Sequence, residues 1–512
     1  GMWSFVLYDQ EEKSLFISRD RTGVKPLYYF LNNHYFAFAS EAKALIRLPF
    51  IQHEVNRRKA FDLLVLNDFT NREETLFKQI LELPPAHNLC LNLKTWHTEI
   101  QSYFQLNTEE KISRYSKKKE EEYSGKIRKL LDEAIRIRLQ AKVPIGTCLS
   151  GGLDSSAIAC SINRLLDSGN YPHIGKQQAL FTSGFPNASY NENKWASLVV
   201  ESTRSAWTKI SPSSSEFLSD IETLHYSQDF PISSASSYAQ FRVMRAAKAS
   251  GMRVMMDGQG ADELFAGYPH HIDIYNLQLL RLWRLLAWIR ENRHQFTTKL
   301  SRQARLWAKN RAFSKLNTKH TLQLLSNRYD DLEYINPDLI EDNQERLEWL
   351  IMRNCKQLNH QLQKDYSGGY LQYLLKCEDR SSMWHSIESR TPFADDLPLM
   401  QLAFAIPPNY KIRKGQGKYI LRKAIKGLIP EPIRNRTDKM GFVAPTHEWI
   451  ELLRQELKPY FTSSLNPWLN VKALEQRYDI FFKVGRKPEN RRVFKLISFA
   501  VWHKVFFGQG IG

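Results

Sequence analysis

Residues 148–156, CLSGGLDSS, join a short apolar run, VPIGTCL, to a helical pattern with one apolar side, SAIACSINRLL. Gly151 and Gly152 permit a tight reversal with bare backbone amides. Ser150, Ser155 and Ser156 place hydroxyls around the start of the helix. Amides, hydroxyls and the positive helix end together make a cradle for an anion. The spacing matches neither the GxxxxGK loop nor GxGxxG. A plain strand-to-helix turn capped by serine accounts for the Ser and Gly separately. It does not account for Asp154, an acid that would repel phosphate unless a divalent cation lies between them. The stretch therefore reads as a nucleotide phosphate loop that works with Mg²⁺.

The pattern continues outward on both sides. QALFTSG (178–184) is the next strand, NKWASLVVEST (193–203) and YAQFRVMRAAKASG (238–251) the next helices, and MRVMMDGQG (252–260) another buried strand. Strands alternating with helices predict an α/β domain whose parallel sheet is covered on both faces, with ligands at the carboxyl ends of the strands. A second glycine-rich turn, DGQGADELFAGY (257–268), carries Gly258, Gln259, Asp262 and Glu263. Alone it is equally a turn before a capped helix. If its strand neighbours the first, Asp154 and Asp262 converge and share one Mg²⁺. Far downstream, EDRSSMWHSIESRTPFADD (378–396) crowds Glu388, Arg390, Asp395 and other ionisable groups among apolar residues. That cluster is either a buried salt-bridge network or the binding site of a zwitterionic or carboxylate substrate. Lys418 follows a flexible glycine-bearing loop, RKGQG (413–417), and leads the helical KYILRKA. It is either a solvated lysine or an amine brought over bound triphosphate.

The first hundred residues read differently. MWSFVLYD, SLFISRD, PLYYFLNN and YFAFAS are short apolar runs separated by charged or Asn-rich turns, the spacing of antiparallel hairpins. Residues 107–122, NTEEKISRYSKKKEEE, read as a charged linker, and from Tyr123 a helical pattern begins. Beyond Tyr268 the pattern is almost entirely helical. The 512 residues carry a net charge of +18, spread along the chain with no basic tail. With no recognition helix, zinc finger or aromatic-basic interleaving, no nucleic-acid partner is expected. The densest apolar stretch, FKLISFAVWHKVFF (494–507), is broken by Lys495, His503 and Lys504, so it reads as a packed terminal helix rather than a membrane span. Five cysteines in no regular framework, and no secretory leader, point to reduced thiols in a cytoplasmic protein. The chain opens inside a strand, and something upstream is expected.

Taken together, SGGLDSS, DGQGADELFAGY, SIESRTPFADD, GKYILRKA and DKMGFVAP, in that order, resemble the glutamine-hydrolysing asparagine synthetases and their relatives. RDRTGVKPLYY and FAFASEAKAL are similar to part of that family's N-terminal glutaminase domain. The resemblance implies a partial Ntn-type class II glutamine amidotransferase domain over 1–106, built from antiparallel sheets. It implies an ATP-pyrophosphatase domain over 123–512, with a helical C-terminal part. It further implies ATP and Mg²⁺ as cofactors, aspartate as acceptor and glutamine-derived ammonia as nitrogen source. The product would be asparagine, formed through a β-aspartyl adenylate with release of pyrophosphate and AMP. On this resemblance Ser150 to Ser156 form the pyrophosphate loop, Asp154 and Asp262 hold the metal, and Lys418 neutralises charge during adenylation. Leu149, Phe181 and Gly258 lie against the nucleotide; Asp262, Glu263, Glu388, Arg390 and Asp395 face the substrate; a homodimer is left open.

Two departures qualify the resemblance. The N-terminal cysteine nucleophile of the family has no counterpart, so the 512-residue polypeptide is expected to use ammonia and not glutamine. Gln259, which the resemblance places with Lys418 among the catalytic positions, stands where the family usually has Glu and cannot accept a proton, so either the base is another group or the acceptor is not aspartate. Another carboxylate acceptor (a sugar acid, a peptide or a β-lactam precursor) is therefore an alternative, as is a catalytically inactive binding protein.

Overall fold

Alternating apolar residues and Asn-rich turns in the first hundred positions produce two antiparallel sheets. The strands are β1 (Ser4–Asp9), β2 (Ser14–Arg19), β3 (Tyr28–Leu31), β4 (Phe36–Ala39), β5 (Leu81–Glu82), β6 (His87–Asn92) and β7 (Thr98–Ser102). One sheet has the order β1-β2-β6-β7 and the other β4-β3-β5. The computed structural model describes all residues except 71–72, 110, 170, 172–173, 176, 186–190, 282–283, 293–331, 348–354, 356, 438–443, 485–490 and 509–512.

Helix α1 (Lys117–Arg138) begins earlier than its apolar face. The Lys/Glu run is made of good helix formers that pair along the surface, Lys117 with Glu121 and Lys126 with Glu122. The segment before it is anchored as well. Ile112 is buried, and the Tyr115 hydroxyl donates to Glu120 at 2.7 Å.

The remaining strands, β8 (Ile145–Cys148), β9 (Ala179–Ser183), β10 (Ala206–Ile210), β11 (Val254–Met256) and β12 (Glu388–Arg390), form one sheet. Its order is β10-β9-β8-β11-β12, and every pair is parallel. Side chains alternate across it. Ile145, Leu180, Val254 and Met256 enter one core, Phe181, Ile210 and Met255 another. Both faces are thus buried, which explains continuous apolar runs rather than alternating ones. The chain leaves β8 toward β9 and β10, then returns to the other side of β8 to lay down β11. That reversal opens a crevice at the carboxyl ends of β8 and β11.

Helices α2 (Leu153–Ser168), α3 (Asn193–Thr203), α4 (Ser214–Gln228) and α5 (Ser236–Ala249) connect these strands. After β11 come α6 (Ala261–Phe265), α7 (Pro269–Arg281), α8 (Leu358–Ser367) and α9 (Tyr370–Trp384), then β12 and, further on, α10 (Tyr419–Ala424). The terminal α11 (Arg491–Phe507) buries Phe499 and Trp502. Its Lys495 is buried too, donating to the Leu64 carbonyl, while Lys504 reaches Glu222 at 2.8 Å. Among the described residues no helix is long and apolar enough to cross a membrane. All five cysteines are free thiols.

Candidate active site

Two loops leave the sheet side by side. After β8 the chain is held to β9 by the Leu149 N–H, which donates to the Phe181 carbonyl at 2.8 Å. The serines then fold onto the loop. The Ser150 N–H donates to Ser155 Oγ at 3.2 Å, the two hydroxyls lie 3.0 Å apart, and the Gly152 N–H donates to Ser150 Oγ at 3.3 Å. After β11 the Asp257 N–H donates to the Arg390 carbonyl at 3.0 Å, tying the second loop to β12. A methyl at Gly258 would stand 3.1 Å from both Asp154 Cβ and Ser155 N, so only glycine lets the loops approach this closely without displacement.

Asp154 lies in the first turn of α2 and Asp262 in α6. Between them sits Lys418, whose ammonium is 2.5 Å from Asp154 Oδ2 and 2.7 Å from Asp262 Oδ1. Lys418 precedes α10 with a left-handed backbone, and its N–H donates to the Phe265 carbonyl at 3.0 Å. The loop before it therefore folds back against α6. A methyl at Gly267 would collide with the Asp262 carboxylate and Lys418 Cε, so this glycine makes room for the ion pair. Burial alone would lower the pKa of Lys418, but Asp154 and Asp262 outweigh it and hold the ammonium above its ordinary value. Asp154 Oδ1 is buried with no hydrogen-bond partner among the described residues.

These groups line a cavity of about 1380 Å³. Leu149, Ser150, Gly152, Asp154, Ser155 and Phe181 come from the first side; Gly258, Gln259, Asp262 and Lys418 come from the second. The structure does not bring every expected residue there. Gly151 turns toward Trp195 and Ala196, while Ser156 is wholly buried in α2. Glu263 points into the core, where it accepts the Tyr268 hydroxyl at 2.8 Å and where burial raises its pKa to about 8. Glu388, Arg390 and Asp395 of the downstream cluster are not among the residues that line this cavity. Glu388 and Arg390 pair with each other at 2.7 Å, and Arg390 donates to the carbonyls of Arg138 and Gln140. Asp395 pairs with Arg138 at 2.6 Å. Arg138, too distant in sequence to be noticed, engages Asp395 and also Asp396, so Asp395 belongs to a buried ion-pair network, whereas the Glu388 side chain is 42% exposed. Of the DKMGFVAP motif, residues 438–443 lie outside the described residues.

Other cavity residues escaped sequence reasoning. Asp257 stood in the quoted motif without a role. Burial raises its pKa to about 6, against the pull of the Gly258 N–H at 2.5 Å. Arg422, one turn after Lys418, also lines the cavity, and burial lowers its pKa to about 10. Arg436 stacks on Trp195 and pairs with Glu192 at 3.3 Å, which no local pattern foretells. His270 and Asp365 reach the wall from helices α7 and α8.

Residues 126–504 match the family model described as asparagine synthase, and residues 1–104 match the glutamine amidotransferase domain. The chain belongs to the asparagine synthase family. It is 23% identical to "Asparagine synthetase [glutamine-hydrolyzing] 1" of Bacillus subtilis (strain 168), over 99% of this chain and 77% of that protein. It is 26% identical to "Asparagine synthetase [glutamine-hydrolyzing] 3" of the same organism, over 93% of this chain and 73% of that protein. It is also 25% identical to "Amidase chyE" of Penicillium rubens, over 88% of this chain and 70% of that protein. Asparagine synthase family membership accords with the two antiparallel sheets followed by a parallel one, and it supports an ATP-dependent, amidotransferase type of ligase chemistry.

Proposed function

We propose that this protein activates a carboxylate with ATP, forming an acyl adenylate and pyrophosphate, and then aminates it with ammonia to give an amide and AMP. Aspartate is the first acceptor to consider, through a β-aspartyl adenylate, with ammonium as the donor for this chain. The observation that carries this reading is the Lys418 ammonium held between Asp154 and Asp262 where two neighbouring parallel strands end.

A carboxylate is a poor electrophile, and two anions must meet before adenylation, so fixed positive charge at the reacting phosphate is the main requirement. Lys418 keeps its proton at any working pH and supplies that charge, with Arg422 behind it. Ser150 and Ser155 orient phosphate oxygens at the start of α2. Asp154 and Asp262 fit Mg²⁺: both are hard oxygen donors already gathered about one cation, and Asp154 Oδ1 has no hydrogen-bond partner among the described residues. When bound there, Mg²⁺ would shield phosphate charge and polarise the phosphate oxygens.

The test is ATP–pyrophosphate exchange by the purified chain with aspartate and a panel of other carboxylates, followed by AMP and product mass with ammonium as donor. Exchange lost in Asp154→Asn supports the reading. Absence of exchange with every acceptor would remove it. Gln259 favours a second reading, in which the acceptor is not aspartate. Exchange with another acid and none with aspartate would select it.

A further inference from the structure

Amide formation from an adenylate liberates one proton. Nitrogen bonds to the carbonyl carbon, the bond from that carbon to the AMP oxygen breaks, AMP leaves as its anion, and ammonia must give up a proton. Gln259 has no basic site, and the carboxylates of Asp154 and Asp262 are taken up by Lys418. Elsewhere on the wall of the same cavity stands His270, whose side chain is 53% exposed.

Its ring is held from two sides. His270 Nε2 lies 3.2 Å from Asp365 Oδ2, and the Tyr268 ring stacks on the imidazole at 5.6 Å and 11°. The same carboxylate oxygen lies 2.9 Å from Nε2 of buried His271, while Asp365 Oδ1 accepts from Gln361 at 2.8 Å. Despite burial, which alone would raise its pKa, these imidazoles hold Asp365 well below the ordinary carboxylate range. An ionised carboxylate only accepts, so each ring turns an N–H toward it, and in the neutral imidazole the lone pair is then at Nδ1. On His271 that lone pair takes the Tyr268 N–H at 3.3 Å. On His270 it has no protein partner among the described residues.

We infer that His270 Nδ1 accepts the proton lost by the nitrogen nucleophile during amide formation, with Asp365 as the positioning residue that fixes its tautomer. This rests on the amide-forming reading above. The proton passes from nitrogen to Nδ1 and then from the imidazolium to solvent at the exposed face. The groups around His270 are Asp365 and Gln361 on α8, Tyr370 on α9 against Tyr268, and His271 and Tyr268 on its own segment, with Asp262 acting on His271 from farther away. His270, His271 and Asp365 also have the spacing of a metal site. The Tyr268 N–H argues against that use, because it commits the His271 lone pair to Nδ1 and leaves Nε2 protonated.

The experiment compares the two half-reactions in the full chain. His270→Ala and His270→Gln should keep ATP–pyrophosphate exchange within about threefold, while amide formation at saturating ammonium falls roughly 10²-fold or more. Imidazole added to His270→Ala should restore part of the rate, and Asp365→Asn should lower amide formation with exchange intact. Amide formation unchanged in His270→Ala would overturn the inference. So would equal loss of exchange and amide formation without imidazole rescue, which marks a binding or structural role. Stoichiometric zinc in the purified protein, lost in His271→Ala, would make the cluster a metal site instead. If the parent protein shows no exchange with any carboxylate, the adenylation reading itself fails and takes this inference with it.

Discussion

Replacing Lys418 by methionine keeps most of the side-chain volume and removes one positive charge from between two carboxylates. In the parent protein the ammonium is 5% exposed and the Asp154 and Asp262 side chains are 17% and 15% exposed. The variant leaves two like charges facing each other with little water. Breaking a buried pair by removing one partner costs about 3–5 kcal/mol. Proton uptake by one of the acids, whose pKa a like charge raises, sets the lower end of that range. In a unit of this size each kcal/mol moves the midpoint by roughly 1–2 °C, so Lys418→Met should melt roughly 3–10 °C below the parent at neutral pH. The deficit should shrink toward acid pH, as the proton replaces the ammonium, and on adding Mg²⁺, which can occupy the vacated position. Differential scanning calorimetry across pH, with and without Mg²⁺, measures all three effects. A variant that melts within a degree of the parent and ignores both pH and Mg²⁺ would refute the placement of this charge.

Gly267→Ala should force Lys418 and Asp262 apart and lower both the melting temperature and adenylation, whereas Gly175→Ala, where the added methyl meets nothing, should lower the melting temperature by its left-handed strain alone and leave adenylation unaltered. Glu263 has a native pKa of about 8 against an ordinary 4.5. The folded chain therefore holds a proton that the unfolded chain releases between those values, and stability falls as pH rises through that window. Urea titrations at pH 5 and pH 8 should show the parent losing stability and Glu263→Gln losing less, the difference being about 1.4 kcal/mol for every tenfold by which the folded chain binds this proton more tightly than the unfolded chain. An equal loss in both would contradict the burial of this carboxyl. Arg138→Met should cost about 3–5 kcal/mol, because it strands Asp395 and Asp396 in the interior, and a neutral effect by calorimetry would count against the network.

The parallel sheet, the two loops and the meeting of Asp154 with Asp262 were legible because each depends on local patterns: buried runs, glycine turns and acids at fixed offsets. Lys418 was legible as a lysine beside a glycine loop, but not as the cation joining both acids, since that contact needs α10 to fold back on α6. Glu388, Arg390 and Asp395 stayed open to two readings for the converse reason. Their density suggested a binding site, and the partner that neutralises Asp395 lies on α1, far away in the chain. The run at 107–122 looked solvated by composition, yet Ile112 is buried in a core of residues distant in sequence, and Glu120 is buried with Lys423 as a distant partner. His270 and Asp365 carried no motif at all.

Strand β12 lies beside β11, with Val254 opposite Glu388, although the whole stretch from 257 to 387 intervenes. Contacts of such long sequence separation are slow to form, because loop-closure entropy is lost before any pairing energy is gained. The edge of the sheet beside β11 should thus be completed late, after the helices between these strands have assembled. Refolding followed at β12 should lag behind refolding followed at β8 and β9, which pair across a much shorter connection. Until β12 docks, the Asp257 N–H lacks the carbonyl of Arg390 and the second loop has no anchor, so competence for nucleotide should return in step with the slowest phase rather than with the bulk of secondary structure.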